Sequence, residues 1–403
     1  MNKFRPDFPI LSQKGLVYLD SAAMSLRPQI VLDALLQYYT LYGTNVRRGI
    51  NTLAERSSLE YEMARHKVAK FIGAQPSSII FTRSATAAIN GLAHSFGKLL
   101  HPGDEIIVSV AEHHANYLPW QVLAQTKQLK LQVLGLDQDF QYNLTQFQEL
   151  LNSKTKLVAL SAASNVLGTS FDLTKIMQLS QAAGVPVLLD AAQMVPYAPV
   201  DVTHLGCDFL AFSGHKMLAP EGVGVLYLAP KWLDVLDPWE YGGGMVKQVS
   251  KISANSSTWL PAPEKFEAGT MPVGAVIALG AAVDYYQTKI NWPDFKRQLA
   301  SLCQQFISGM QDLPEIKIIG NQVQLAQAGH LVSFTVAGVH AHDVAAYLDQ
   351  FGICVRAGHH CAQPLHEYLG LTATVRVSFH VYNTASEVAL LVGKLRQLVA
   401  NGL

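Results

Sequence analysis

The chain has 403 residues, of which 49% are apolar and 15% are charged. The charged share lies well below the quarter or so that is typical of soluble domains, which favours a large hydrophobic core and argues against disorder. Thirty basic residues balance thirty acidic ones, and no block of like charge stands out. The composition therefore argues against a protein that holds nucleic acid by electrostatic attraction.

The sequence also argues against a membrane protein and against a metal or disulfide scaffold. The longest uncharged runs, such as residues 268–283, contain proline and glycine and fall short of the roughly 18 to 20 apolar residues of a membrane span. Residues 1–10 carry charges and lack the apolar run of a signal peptide. The four cysteines have no zinc-ligand spacing. We therefore expect a cytoplasmic protein without a membrane span or a bound metal.

Short β-rich runs alternate with helical stretches between about residues 75 and 230. Several runs are almost entirely apolar, as expected of strands that are covered on both faces. The alternation predicts an α/β domain with a mainly parallel sheet. The clearest predicted strands are residues 105–110, 156–161, 185–190, 208–213 and 224–228.

Polar or titratable side chains stand where four of these strands end. Because parallel sheets bind ligands outside the carboxyl ends of their strands, we expect these side chains to meet at one site. The residues concerned are Glu112, His113, His114, Asn165, Asp190, Gln193, Ser213, His215 and Lys216.

The pattern changes after about residue 285. A long helical stretch is followed by short strands and two more helical segments, which predicts a smaller α+β unit. No linker rich in proline, glycine or serine separates it from the first part. The predicted helices are residues 291–310, 342–351 and 386–400, and the predicted strands lie near 331–336, 353–356 and 374–379.

Lys216 and Asp190 point to a specific cofactor. A lysine directly after a buried strand is costly unless it is paired or used covalently, and a Schiff base requires a desolvated neutral amine. Asp190 lies 26 residues earlier, at the end of the preceding predicted strand. Pyridoxal phosphate needs such a pair, a lysine on its aldehyde carbon and an acid on its pyridine nitrogen. The alternatives are a solvated loop lysine and a strand-end turn residue.

Other polar residues fit the same cofactor. The segment RSATAAIN, residues 83–90, offers small side chains and a helix opened by Thr86, which suits a phosphate. Ser213 and His215 can add donors to it. An ordinary helix cap or a satisfied strand-end residue is the alternative in each case. The residues that can stack on the ring or hydrogen-bond its hydroxyl are His113, Asn165 and Gln193.

The second half of the chain contributes a cysteine and an arginine. The segment RAGHHCAQP places Cys361 in a loop after a strand, where Arg356, His359 and His360 are expected to favour the reactive thiolate. Arg376 lies in the predicted strand TVRVSF, where an arginine suits bidentate capture of a carboxylate. A small buried cysteine and a structural ion pair are the alternatives.

Eight short motifs carry a resemblance to a known family. In chain order they are YLDSAA (18–23), SVAEHHAN (109–116), SNVLGT (164–169), DAAQ (190–193), FSGHK (212–216), FEAGT (266–270), RAGHHCAQP (356–364) and YNT (382–384). With these motifs the chain resembles the fold-type I pyridoxal-phosphate enzymes of aminotransferase class V. It most resembles the group II cysteine desulfurases and selenocysteine lyases, the CsdA/SufS branch, because Gly-His-His-Cys stands in a short loop.

The resemblance implies a fold and a division into domains. Residues 26–285 are expected to form a large cofactor-binding domain with a mainly parallel seven-stranded sheet. Residues 286–403 are expected to form a smaller C-terminal α+β domain, against which residues 1–25 pack. A two-fold homodimer, the commonest oligomer, is the expected assembly.

The resemblance also implies a role for each candidate residue. Lys216 is the Schiff-base lysine, Asp190 is the pyridinium partner, and Cys361 is the persulfide cysteine. For the cofactor, the resemblance implies stacking and catalysis for His113, ring contacts for Asn165 and Gln193, and phosphate binding for Ala85, Thr86, Ser213 and His215. It implies contact with the partner subunit's cofactor for Gly243 and Thr270. It implies substrate binding for Arg356 and Arg376 together with Asn165.

Three positions depart from the family pattern. Arg47, in the segment Asn-Val-Arg-Arg of residues 45–48, replaces a histidine near the substrate. Glu221 lies in a segment that commonly reads Tyr-Gly-Pro-Thr-Gly, and Ala87 replaces an acidic residue. None of these changes affects the lysine, the acid or the cysteine of the expected site.

The implied activity is removal of sulfur from L-cysteine. Arg376 holds the substrate carboxylate, the freed Lys216 removes the Cα proton, and the Cys361 thiolate attacks the substrate sulfur. The products are L-alanine and an enzyme persulfide, which a small acceptor protein or a thiol takes up for iron–sulfur clusters, tRNA or another pathway. L-selenocysteine is an alternative substrate.

Two other functions stay open at this point. The first is a class V aminotransferase, epimerase or lyase with a structural Cys361, which the departures at Arg47 and Glu221 keep open. The second is a scaffold or regulatory protein that binds the cofactor and a partner without turnover. The intact lysine, acid and cysteine argue against this second function.

Overall fold

A computed structural model describes residues 2–47, 49–250 and 257–401. Arg48, the last residue of the Asn-Val-Arg-Arg segment, lies outside these ranges. The N-terminal part begins with two 3₁₀ turns and leads into a pair of helices joined through a π-helical turn, Tyr38–Tyr42. The elements of this part are β1 (Val17–Tyr18), α1 (Gln29–Gln37) and α2 (Thr52–Phe71).

A seven-stranded sheet forms the centre of the large domain, as predicted. Six of its strands run in one direction. The seventh, Gly224–Leu228, is antiparallel to its two neighbours. The spatial order along the sheet is β2-β8-β7-β6-β5-β3-β4, where the strands are β2 (Ile79–Thr82), β3 (Glu105–Ser109), β4 (Lys130–Leu134), β5 (Thr155–Ser161), β6 (Val187–Asp190), β7 (Phe209–Ser213) and β8 (Gly224–Leu228).

Hydrophobic clusters cover both faces of this sheet. Alternate residues of a strand enter different clusters: on β5, Val158 and Leu160 belong to one cluster, while Leu157 and Ala159 belong to the other. This arrangement explains the nearly continuous apolar runs, because side chains on both faces of the pleat are buried. The helices that accompany the strands are α3 (Ala85–Gly97), α4 (His114–Lys127), α5 (Leu144–Leu150), α6 (Thr174–Ala182) and α7 (Val202–Leu205).

The chain leaves the large sheet through a short hairpin and a long buried helix. The hairpin consists of β9 (Val246–Gln248) and β10 (Thr258–Trp259), and the helix is α8 (Val273–Lys289). Most residues of α8 are buried, so the helix belongs to the core. The predicted domain boundary at residues 285 and 286 falls inside this helix, which ends four residues later.

A four-stranded antiparallel sheet forms the centre of the C-terminal part, with the spatial order β11 (Ile316–Ile319), β12 (Leu331–Val336), β15 (Thr374–Ser378) and β14 (Arg356–Gly358). The strands β1 and β13 (Ile353–Cys354) pair in parallel, which ties the N-terminal segment to this part of the chain. Arg5 and Glu387 add an ion pair at 2.6 Å. The helices are α9 (Trp292–Met310), α10 (Gln322–Ala328), α11 (Ala341–Asp349), α12 (Gln363–Tyr368) and α13 (Ala385–Asn401).

Neither a membrane-spanning helix nor a metal-binding cluster is present among the described residues. No helix in these ranges is long and apolar enough to cross a membrane. Among the same residues, no group of three or more histidine, cysteine, aspartate or glutamate side chains is arranged to hold a metal ion.

Candidate active site

A cavity of about 160 Å³ lies where the parallel strands end. Asp190 closes β6, Ser213 closes β7, and Lys216 follows in the next turn. The C-terminal part supplies two arginines to the same cavity. Ten of the predicted site residues line it: Ala85, Thr86, His113, Asn165, Asp190, Ser213, His215, Lys216, Arg356 and Arg376.

Lys216 and Asp190 face the cavity as an interacting pair. Burial lowers the pKa of the Lys216 amine, although the charge of Asp190 opposes the shift. Burial raises the pKa of the Asp190 carboxyl, while Lys216 and a hydrogen bond from the Ala192 N–H at 3.0 Å oppose it. A lowered amine pKa increases the share of the neutral nucleophilic form. The geometry therefore suits a lysine that reacts with a carbonyl group.

The N-terminus of α3 forms one wall of the cavity. Ser84 caps this helix by accepting the Ala87 N–H at 3.1 Å, and the hydroxyl of Ser213 accepts the Ala85 N–H at 2.8 Å. The helix therefore begins one residue before Thr86, which was predicted to open it. Small side chains at a helix N-terminus leave room for an anion at the positive end of the helix dipole.

His113 caps α4 and lines the cavity with a neutral ring. Its Nδ1 accepts the Ala115 N–H at 3.0 Å, so the remaining proton of the neutral ring lies on Nε2. Burial, followed by the charge of Lys216, lowers the pKa of His113 to about 3. A neutral imidazole in this position suits stacking on a planar ring.

Arg376 and Arg356 are cross-strand partners on β15 and β14. Arg376 is only 2% exposed and donates to the backbone oxygen of Asn165 at 2.9 Å and to Asp20 at 3.0 Å. Its Nε has no hydrogen-bond partner among the described residues. Two guanidinium groups at one cavity favour an anionic ligand such as a carboxylate.

Cys361 lies beside the cavity rather than in its wall. It lines a neighbouring, mainly apolar groove of about 500 Å³, which shares His113 and Thr86 with the cavity. Cys361 and the preceding His360 both have left-handed backbones, with φ of 58° and 53°. Such strained residues cluster at functional sites. The carbonyl of Cys361 accepts the His114 N–H at 2.7 Å, which helps to fix the loop.

The expected support for a Cys361 thiolate needs one correction. Arg356 does approach the sulfur, with Nη2 at 3.9 Å from Sγ. His360 instead turns into the protein, where burial, followed by the charge of Arg376, lowers its pKa to about 2. A neutral ring provides no positive charge, so Arg356 and not His360 is the cation beside the sulfur.

Gln193, Gly243 and Thr270, which were predicted to contact the cofactor, lie away from this cavity. Gln193 uses both ends of its amide elsewhere, donating to the carbonyl of Ala22 at 2.8 Å and meeting His330 at 3.2 Å. Gly243 and Thr270 line a second cavity of about 200 Å³. The single chain thus leaves these two residues separate from Lys216, and their predicted contact with a partner's cofactor stays a prediction.

The three departures from the family pattern have clear surroundings. Arg47 lines the second cavity and pairs with the buried Glu267 at 2.8 Å. Glu221 is exposed and forms an ion pair with Arg27 at 2.7 Å. Ala87 lies in the wall of a third cavity, which also includes Thr270. None of them lines the cavity of Lys216.

Sequence reasoning missed the roles of two residues at the site. Asp20 holds Arg376, and its place in the YLDSAA motif was the available signal. His360 was assigned to the thiolate but lines the Lys216 cavity.

Two further strand-end residues that were expected at the same site lie outside the cavity. His114 lines the neighbouring groove with Cys361. Glu112 points into a network of hydroxyl and amide groups, where it accepts from Ser109 at 2.6 Å and from Asn116 at 2.7 Å.

The chain is similar to known proteins over nearly its whole length. The sequence profile of aminotransferase class V matches residues 17–391. A relative from Streptomyces coelicolor, named a probable cysteine desulfurase, is 42% identical over 406 residues, covering 98% of this chain and 96% of its own. The apo structure of a cysteine desulfurase from Thermococcus onnurineus has a TM-score of 0.93 and 37% identity, covering 98% of this chain and 97% of that one. The cysteine desulfurase CsdA from Escherichia coli, solved with an S-sulfonic acid, has a TM-score of 0.91 and 38% identity, covering 99% and 98%.

Proposed function

The chain belongs to the aminotransferase class V family, and from this premise we propose that it is a pyridoxal-phosphate-dependent cysteine desulfurase. Relatives named as cysteine desulfurases support the activity. The observation that carries the proposal is the position of Cys361, on a strained loop beside the cavity that holds Lys216 and Asp190. Transfer of an amino group requires no nucleophilic thiol, whereas transfer of a sulfur atom does.

The residues of the cavity fit pyridoxal phosphate. Lys216 would carry the cofactor, and Asp190 would hold the proton on its pyridine nitrogen. The N-terminus of α3 with Ser213 and His215 would receive the phosphate, and His113 would stack on the ring. When bound, the cofactor supplies an electron-withdrawing ring that accepts negative charge from the substrate carbon.

Lys216 would also move the proton of the substrate. Its amine has a lowered pKa because it is buried, so a neutral base is present at a pH where an exposed lysine is charged. Once a substrate occupies the cavity, Nζ of Lys216 would take the Cα proton. Replacement by alanine removes both the anchor and the base.

The two arginines would select an amino acid by its carboxylate. Asp20 and the backbone of Asn165 hold the guanidinium of Arg376 from two sides, so the group is orientated before the substrate arrives. Arg356, on the neighbouring strand, adds a second cation and also approaches the sulfur of Cys361. Arg356 would thus contact both the part of the site that binds the carboxylate and the cysteine that accepts the sulfur.

Cys361 would receive the sulfur atom. Its thiolate forms a bond to the sulfur of the substrate as the Cβ–Sγ bond breaks, and the carbon fragment leaves as L-alanine after protonation. The persulfide then lies in the groove beside α4, whose wall includes exposed apolar residues such as Leu118 and Val122. We propose that a small acceptor protein or a thiol collects the sulfur through this groove.

We also propose that two copies of the chain form a homodimer. Seven of the exposed large apolar residues between the end of α1 and α2, six on the helical elements and one just before α2, are termed the apolar face. Exposed apolar patches of this kind mark interfaces, and the neighbouring Arg47 shares its cavity with Gly243 and Thr270. The apolar face consists of Leu36, Tyr39, Leu41, Ile50, Leu53, Leu59 and Met63.

Sedimentation of the purified protein tests the dimer. Ile50→Asp, at a residue that is 99% exposed, should shift the protein towards the monomer. Leu144→Asp, at a 40% exposed leucine on α5, should not. A wild-type monomer, or an unchanged dimer in Ile50→Asp, would contradict the interface.

Product analysis tests the activity. The protein with bound pyridoxal phosphate, given L-cysteine and a reductant, should release sulfide and L-alanine in equal amounts. Cys361→Ala should keep the visible absorbance of the cofactor and release neither product from L-cysteine. Cys354→Ala, at another partly exposed cysteine, is the matched control and should remain active. Pyruvate or a racemised amino acid without sulfide would contradict the proposal.

A further inference from the structure

A chain of hydrogen bonds runs from α12 into the Lys216 cavity. His366 Nδ1 meets the carbonyl of Ala362 at 3.0 Å, and His366 Nε2 meets the hydroxyl of Thr374 at 3.0 Å. The same hydroxyl meets Nε2 of His360 at 2.9 Å. All three side chains are at least 97% buried. This series of hydrogen bonds therefore lies inside the protein, where the position of each proton decides which atoms are left without a partner.

The direction of every bond follows from elementary chemistry. A carbonyl only accepts, so Nδ1 of His366 carries the proton, and Nε2 of this neutral ring must accept. The single hydroxyl proton of Thr374 is therefore donated to His366. The oxygen of Thr374 then accepts from Nε2–H of His360. Both rings are neutral, because burial lowers the pKa of His366 and of His360.

Because Nε2 of the neutral His360 ring carries the proton, Nδ1 of this ring is a hydrogen-bond acceptor. This nitrogen is buried and has no partner among the described residues, yet His360 lines the cavity with Lys216. An unpaired buried acceptor is unfavourable until a ligand supplies a donor. Asn165 also donates to the backbone oxygen of His360 at 2.7 Å, so the residue is held at both its backbone and its ring.

We propose that Nδ1 of His360 accepts a hydrogen bond from the thiol of bound L-cysteine, and that Thr374 and His366 are positioning residues for it. This inference rests on the proposed function. The substrate carboxylate carries no proton and suits Arg376, whereas its amino group is needed at the Lys216 end. The thiol is the donor that remains, and it must come close to Cys361, the residue next to His360.

Two replacements of His360 separate the acceptor from the link to Thr374. In His360→Gln the amide NH₂ can still donate to Thr374, but no acceptor remains near the position of Nδ1. In His360→Asn the amide oxygen occupies about the position of Nδ1, but the link to Thr374 is lost. For L-cysteine, kcat/KM should fall about tenfold in His360→Gln and about threefold or less in His360→Asn.

L-Alanine serves as the matched ligand because it has the same carboxylate and amino group but no thiol. Its inhibition constant against L-cysteine should remain within about twofold of wild type in both variants. An equal loss for both amino acids would show that His360 does not read the thiol. Unchanged kinetics in His360→Gln would overturn the proposal as well.

Replacements of Thr374 test the positioning role. Thr374→Val keeps the shape but breaks the chain, so His360 is free to place its proton on Nδ1. In Thr374→Val, as in His360→Gln, kcat/KM for L-cysteine should fall while the inhibition constant of L-alanine stays the same. In Thr374→Ser both quantities should stay near wild type. Equal kinetics in the valine and serine variants would contradict the role of Thr374. A wild-type protein that binds the cofactor and releases no sulfide would instead refute the proposed function itself.

Discussion

Glu267 is the centre of a buried charge network that supports the segment around Thr270. Its carboxylate is fully buried and accepts from both terminal nitrogens of Arg65, at 2.8 and 2.9 Å. Arg47 donates at 2.8 Å, Tyr61 at 3.0 Å and the backbone N–H of Phe81 at 2.8 Å. Arg65 is itself only 1% exposed. We expect the network to depend on the negative charge of Glu267.

The replacement Glu267→Gln keeps the shape of the side chain but removes that charge. One amide NH₂ then faces the donors of two arginines, and the buried guanidinium of Arg65 loses its main partner. Breaking one side of a buried ion pair typically costs about 3 to 5 kcal/mol. For a chain of this length, that loss corresponds to a fall in Tm of roughly 3 to 6 °C.

Thermal unfolding followed by circular dichroism measures this fall. Glu62→Gln is the matched control, because Glu62 pairs with the same two arginines but its side chain is 39% exposed. A partly exposed pair contributes about 1 kcal/mol or less, so its Tm should change by about 1 °C. Equal shifts in the two variants would refute the argument that burial makes Glu267 the essential partner of Arg65.

Three further predictions concern the site and its surroundings. Burial raises the pKa of Glu112 from 4.5 to about 7, against hydrogen bonds from Ser109, Ser161 and Asn116, so its contribution to stability falls as pH rises from 4.5 to 7. In urea unfolding, Glu112→Gln should gain stability relative to wild type over that window, by up to about 3 kcal/mol; a constant difference would contradict the raised pKa. Lys216→Ala should lose sulfide release from L-cysteine by at least about a thousandfold, and residual turnover near wild type would exclude Lys216 as the base. Arg376→Lys should raise KM for L-cysteine about tenfold or more, because one ammonium cannot form a bidentate pair; an unchanged KM would place the carboxylate elsewhere.

The large sheet was predictable because its strands are buried on both faces. Such strands read as continuous apolar runs bounded by polar residues, and the ends of these runs locate Asp190, Ser213 and Lys216. The prediction did not extend to the direction of every polar side chain. Gln193 follows β6 as closely as predicted, but its amide is used by Ala22 and His330. A position at the end of a strand does not determine where a long side chain points.

The surroundings of Cys361 were less predictable for a different reason. Residues 360 and 361 both adopt left-handed backbones, which residue type and spacing do not signal here. This local geometry sends His360 into the Lys216 cavity and leaves Cys361 in the groove. The partner of the His360 ring, Thr374, lies on a strand 14 residues later. Its role depends on strand pairing, which the sequence pattern did not specify.

Direct detection of the persulfide tests the central claim of sulfur transfer to Cys361. The protein with bound cofactor is mixed with L-cysteine, quenched with an alkylating reagent and digested, and the peptides are identified by mass spectrometry. We expect one extra sulfur atom on the peptide that contains Cys361, absent without substrate and absent from the peptide that contains Cys354. Sulfide and L-alanine released without any persulfide on Cys361, or at an undiminished rate by Cys361→Ala, would contradict sulfur transfer to this cysteine.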